Sequence, residues 1–120
     1  MVIHVVLFKP RADLSDLDRA ALVAALERAI KNIPTVLGVR VGRRLKIGAG
    51  YEQTAPDAAD FLAVIEFDDA AGLQAYLQHP AHEELGQRFN ESMAVGFVYD
   101  FEITAISDMA RALNPWTLSP

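Results

Sequence analysis

Apolar positions along the chain follow two different repeats, one typical of strands and one typical of helices. Four short runs rich in β-branched and aromatic residues span 2–9, 36–47, 61–67 and 94–106. Runs of this length and composition, bounded by Pro, Gly and Asp, predict four β-strands. Glycines interrupt the second run, which favours a bent strand or one at the edge of a sheet.

Segments with helical spacing separate these runs. The first follows Ser15, a residue suited to an N-cap, and stops at Pro34. After the third strand, one short helix is expected to about Gln78, and Pro80 opens another that extends to about Met93. The order β-α-β-β-α-β predicts a ferredoxin-like α+β protomer with a four-stranded antiparallel sheet.

The strands are apolar on both faces, which predicts an assembly. Antiparallel sheets with one wet face alternate apolar and polar residues, but the first strand does not. One face carries Val2, Val6 and Phe8, and the other carries Ile3, Val5 and Leu7. Two helical regions cover only one face of such a sheet, so the second face needs another cover. The simplest cover is a second copy of the same sheet, and we therefore expect a homodimer that forms an α/β barrel.

Composition narrows the class of protein. The chain has 120 residues, of which 52% are hydrophobic, and this length predicts one globular domain over 1–107 followed by a tail, 108–120. The tail carries Trp116, which favours docking on the partner subunit over a free end. The absence of cysteine excludes disulfides and thiolate chemistry.

Charge and hydropathy restrict the partners. The net charge is −5, so we expect no nucleic-acid partner. A short basic cluster, Arg40, Arg43, Arg44 and Lys46, is typical of a charged sheet edge, or of a mouth that attracts an acidic ligand. The apolar N-terminus is too short for a membrane span and lacks the features of a signal peptide, which favours a cytoplasmic protein without membrane contact.

Several stretches resemble one known family. They are "VIHVVLFK", "IPTVLGVRVGR", "FLAVIEFDDAAGLQAYLQHPAHEELG" and "VYDFE", and together they extend from residue 2 to 103. They are similar to the stress-responsive dimeric α/β-barrel (Dabb) domain. The resemblance implies a ferredoxin-like protomer that dimerises into a barrel, in agreement with the burial pattern.

The resemblance also implies a candidate site. In a plant polyketide cyclase of this family, the positions that match His4, Tyr76 and His82 line or support the active site, and the position of His82 is the catalytic base. This sequence departs from the cyclase at Phe61, where the cyclase has a histidine, and at Leu26, where it has a substrate-binding tyrosine.

His82 is the candidate general base. Pro80 places it in the first turn of a helix, where the positive end of the helix dipole disfavours imidazolium. A neutral imidazole near pH 7 can accept a proton from an acidic carbon or hydroxyl. Asp100, an acid within an apolar strand, is the expected orienting partner of His82. Tyr76 supplies a phenolic hydroxyl or simply packs.

The expected ligand is a small hydrophobic carbonyl or polyketide-like compound in the barrel cavity. The side chains expected to contact it are His4, Val6, Phe8, Phe61 and Phe97. Either His4 donates a hydrogen bond to the substrate carbonyl or it is a satisfied core residue. We expect no cofactor and no metal, because Pro80 separates His79 from His82 and no third ligand is obvious.

Two other functions stay open at this point. One is a non-enzymatic, stress-associated dimer whose histidines are structural. The other is an enzyme similar to the cofactor-free monooxygenases of related dimeric α/β barrels, which needs a substrate that itself activates oxygen. The architecture alone hosts unrelated chemistries and does not decide between them.

Overall fold

A computed structural model describes residues 1–114 of the chain. The strands are β1 (Val2–Pro10), β2 (Gly38–Arg43), β3 (Phe61–Phe67) and β4 (Met93–Glu102). The helices are α1 (Asp16–Asn32), α2 (Ala70–Gln78), α3 (Pro80–Ser92) and the single turn α4 (Met109–Ala112). Short 3₁₀ turns occur at Gly50–Glu52 and Ile106–Asp108. Trp116 lies outside the described residues.

The four strands form one antiparallel sheet in the order β2-β3-β1-β4. This arrangement confirms the predicted ferredoxin-like fold. β2 is an edge strand, as its glycines indicated, but it is shorter than predicted because the chain leaves the sheet after Arg43. β4 is also shorter than predicted and ends at Glu102.

The helix starts are fixed by side chains that the sequence marks. The Ser15 hydroxyl accepts a hydrogen bond from the Asp18 backbone N–H at 3.1 Å, which satisfies one donor of the first turn of α1. At α2, a carboxylate oxygen of Asp69 accepts from the Gly72 N–H at 2.9 Å. These caps set the positions at which α1 and α2 begin.

The hydrophobic core lies between the helices and one face of the sheet. Its buried side chains come from α1, β3 and α2, and they are Ala29, Ile33, Ile65, Phe67, Leu73 and Tyr76. On α1 the most buried positions are Ala25 and Ala29, whereas Leu22 and Leu26 are half-buried. The small residues let α1 approach its neighbours closely.

No helix within residues 1–114 covers the second face of the sheet. Residues of this open face alternate with those of the helix-covered face, and they include Ile3, Val5, Leu7, Val64, Phe97 and Tyr99. The smallest dimension of the molecule is 20 Å, which matches one sheet with a single helical layer. None of the described helices is long and apolar enough to cross a membrane.

Candidate functional site

A histidine and a carboxylate face each other across two neighbouring strands. His4 on β1 lies directly opposite Asp100 on β4, so both side chains project to the helix-covered face. The Nδ1 atom of His4 is 2.6 Å from Oδ1 of Asp100. His4 is only 4% exposed, whereas the Asp100 side chain is 43% exposed. The pair therefore connects the interior of the protein to its surface.

This pairing corrects the expected partner of His82. Asp100 was predicted to orient His82, but its hydrogen bond goes to His4. The reason is strand register, because β1 and β4 place residues 4 and 100 side by side. An ionised carboxylate only accepts hydrogen bonds, so Nδ1 of His4 donates and Nε2 faces away from Asp100.

Tyr76 on α2 lies between the two site histidines. Its ring centroid is 5.7 Å from that of His4 and 4.6 Å from that of His82. Tyr76 is 1% exposed, and burial raises the pKa of its phenol to about 12. The phenol consequently stays protonated at physiological pH.

His82 is half-buried in the first turn of α3. Burial is the main cause that lowers the pKa of His82, and the electrostatic interaction with nearby His4 lowers it further. The backbone of Leu77 and the carboxylate of Glu83 act in the opposite direction. From the sequence, a neutral His82 imidazole was expected because of the positive end of the helix dipole. The structure gives the same direction but a different physical cause.

His79 has a structural position. It is the N-cap of α3, and its Nδ1 atom accepts a hydrogen bond from the Ala81 N–H at 3.0 Å. Its carbonyl oxygen accepts from the His82 N–H at 2.9 Å. His79 is half-buried.

An open groove of about 650 Å³ runs along α3 and includes His82. Its wall comes from successive turns of the helix: His82, Glu83, Gly86, Gln87, Asn90 and Glu91. The opposite flank of α3 faces α1, where Glu84 forms an ion pair with Arg28. Apart from His82, the residues of the groove were not predicted from the sequence. Helical spacing from His82 is the signal that identifies them, since Gly86 and Asn90 follow at intervals of four.

The predicted apolar contacts separate into two groups. Val6, Phe8 and Phe61 share the helix-covered face with His4, and Phe8 stacks on Phe61 with a centroid separation of 5.6 Å. Phe97 was expected to join them, but it pairs with Leu7 and therefore lies on the open face. This correction follows from strand alternation, since Phe97 is an odd number of residues from Asp100.

The three candidate residues all lie inside one subunit. His4, Tyr76 and His82 lie between the sheet and the helices of one subunit, on the face opposite the one that a second sheet would cover. The candidate site is thus built by a single chain. No cluster of three or more His, Cys, Asp or Glu side chains able to hold a metal occurs within residues 1–114.

The basic cluster lies on edge strand β2 and its exit, and part of it is paired with carboxylates. A guanidinium nitrogen of Arg40 is 3.5 Å from Glu66, and one of Arg44 is 3.4 Å from Asp57. Lys9 also contacts Asp57, and it is the main cause that lowers the pKa of that carboxyl. These pairs support the interpretation of the cluster as a charged sheet edge.

Residues 2–103 match the stress-responsive A/B barrel domain family (Dabb). The match covers most of the chain, so this protein belongs to that family. No curated protein matches the sequence.

Solved structures share the fold. A protein from Arabidopsis thaliana superposes with a TM-score of 0.74 at 20% identity, covering 88% of this chain and 98% of that one. A dimeric ferredoxin-like protein of unknown function from Thermobifida fusca has a TM-score of 0.66 at 22% identity, with 85% and 90% covered. The hydroxynitrile lyase from Passiflora edulis has a TM-score of 0.73 at 16% identity, with 86% and 93% covered. Similarity at this level of identity shows the fold alone.

Proposed function

We propose that the protein binds a small hydrophobic carbonyl compound in the groove along α3 and that His82 acts there as a general base. One observation carries this proposal. His82 is the residue that belongs both to the groove and to the buried cluster of His4 and Tyr76. Its lowered pKa keeps the imidazole neutral near pH 7, which is the form that accepts a proton.

The proposed step is proton abstraction next to a carbonyl group. His82 takes the proton from the acidic carbon, and the electron pair of the broken C–H bond moves onto the carbonyl oxygen as an enolate. The amide groups of Gln87 and Asn90 line the groove and are candidate hydrogen-bond donors to this oxygen. The buried, neutral phenol of Tyr76 packs against the His82 ring. His4, held by Asp100, fixes the other side of the Tyr76 ring.

The relatives are compatible with such chemistry. The Passiflora edulis protein of this fold is a hydroxynitrile lyase, so the fold accommodates a lyase. The substrate of this chain is proposed from its own residues, because a shared fold does not transfer a substrate.

NMR titration of the three histidines, with and without aromatic and polyketide-like carbonyl compounds, tests the proposal. We expect the His82 resonances to shift on ligand addition, while those of His79, the helix cap, stay unchanged and serve as an internal reference. His82→Gln should abolish the ligand effect while the fold is retained. If no compound shifts His82, and His82→Gln only lowers thermal stability, the histidines are structural and the non-enzymatic alternative replaces this function.

We also propose that the protein is a homodimer whose subunits contact each other through their open sheet faces. The apolar side chains of that face support this assembly, because leaving them in water is costly. The Thermobifida fusca protein of the same fold is described as dimeric.

Neighbouring residues on β4 offer a matched test of the dimer. Phe97 lies on the open face and Val98 on the helix-covered face, and both side chains are about half exposed in the single subunit. We expect Phe97→Asp to give a monomer in sedimentation velocity and Val98→Asp to stay dimeric. A monomeric wild-type protein would exclude the assembly.

A further inference from the structure

The last described part of the chain, residues 103–114, forms an arm beyond the sheet. Its first residue is tied to the end of β1, since the Ile103 N–H donates to the Met1 carbonyl oxygen at 2.9 Å. The arm then contains the 3₁₀ turn and α4. The family match ends at residue 103, so the arm is a feature of this chain outside the domain shared by the family.

The arm has one apolar side, and that side is exposed. Ile106 is 90% exposed and Leu113 is 69% exposed, with Met109 between them about half exposed. The spacing of three and four residues places these side chains on one side of a helical segment. Asp108 and Arg111 on the other side contact each other at 3.5 Å. Solvent exposure of so many apolar side chains in a segment of this length is unfavourable without a cover.

The arm begins on the open face of the sheet. Phe97, Tyr99 and Phe101 alternate along β4 on the open face, and Ile103 is the next position in the same alternation. The helices of the same subunit lie on the other face and do not cover this surface.

We propose that the arm docks on a second copy of this chain and enlarges the contact made by the open faces. This inference rests on the homodimer proposed above. Each subunit contributes one arm to its partner, so the apolar side chains of both arms, Ile106 and Leu113 among them, leave water only when two copies associate. Residues 2–103, which match the family, make the contact between sheets. The arm adds to the affinity of one copy of this chain for the other.

Dimer dissociation measured by dilution in analytical ultracentrifugation tests the inference. Truncation after Thr104, or Ile106→Asp within the intact chain, should weaken dimerisation by about 100-fold or more, since each arm buries two or more large apolar side chains. Ser107→Asp introduces the same charge at the adjacent polar position and should have little effect. Equal dissociation constants for wild type and both arm variants would overturn the inference but leave the sheet-face dimer intact. A monomeric wild type would overturn both proposals.

A second measurement shows which subunit the arm contacts. The chain has no cysteine, so Ser107→Cys provides a single attachment point for a nitroxide spin label. Spin-labelled chains are mixed with ¹⁵N-labelled wild-type chains and allowed to exchange. We expect line broadening of amides in the ¹⁵N-labelled partner. In a second sample the spin-labelled chain itself carries the ¹⁵N. Broadening seen only in that sample would show that the arm folds back on its own subunit, and would refute docking of the arm on the partner.

Discussion

His4 and Asp100 lie directly opposite each other on β1 and β4, and a hydrogen bond of 2.6 Å joins their side chains. The bond connects a histidine that is almost fully buried to a carboxylate at the surface. It brings edge strand β4 into the candidate site and orients the His4 ring.

Asp100→Asn should therefore lower the free energy of unfolding by about 1–2 kcal/mol, because the amide replaces a charged acceptor of a buried imidazole. Urea denaturation measures the change. Glu102→Gln is the matched control, since Glu102 is exposed two residues further along the same face of β4. A similar loss in both variants would mean that the His4–Asp100 bond adds no stability of its own.

Tyr76 gives a spectroscopic prediction. Of the three tyrosines, Tyr76 should ionise with a pKa of about 12, because burial disfavours the phenolate. Absorbance at the phenolate band, measured against pH for wild type and Tyr76→Phe, isolates its contribution as the difference between the two curves. A difference that develops near the ordinary pKa of 10.0 would contradict the burial of this hydroxyl.

His82 gives a prediction about stability against pH. Its pKa in the folded state lies below the ordinary value of 6.5, so the unfolded chain binds a proton more readily than the folded one. Protonation then favours unfolding, and stability should decrease as the pH falls through 6.5 and level off below the folded-state pKa. His82→Gln should remove this part of the slope in chemical denaturation series. An unchanged slope in the variant would show that His82 titrates equally in both states.

Two glycines should respond oppositely to the same substitution. A Cβ atom on Gly96 would lie 2.9 Å from Cε1 of Phe89, whereas no described atom comes within 4 Å of one on Gly86. We expect Gly96→Ala to cost about 1–3 kcal/mol through overpacking. Gly86→Ala should raise the free energy of unfolding by up to about 1 kcal/mol, since alanine favours the helix. Thermal unfolding of both variants decides, and stabilisation by Gly96→Ala would contradict the close packing of α3 on β4.

Much of the fold could be predicted from local patterns. The cap at Ser15, the stop at Pro34 and the proline that opens α3 are signals contained in a few residues, and the structure places helix ends there. The shortened β2 could not be predicted, because the point where Arg43 leaves the sheet depends on pairing with β3 rather than on the composition of β2.

The candidate site could be predicted only in part, again because some of its contacts depend on strand pairing. His82 and Tyr76 are close in sequence, and the junction of α2 and α3 at His79 brings them together. Asp100 is 96 residues from His4, and only the register between β1 and β4 determines which histidine it meets. A shift of one residue would also have put Phe97 on the other face, so no local pattern decides these assignments.

The alternation along β4 has a consequence for how the protein can evolve. Odd-numbered residues such as Phe97 and Tyr99 face one way, and even-numbered residues such as Val98 and Asp100 face the other. A substitution at one position leaves its neighbour's surroundings largely unchanged. Selection can thus alter the proposed dimer contact and the proposed site under the helices separately, although residues of both lie on a single ten-residue strand.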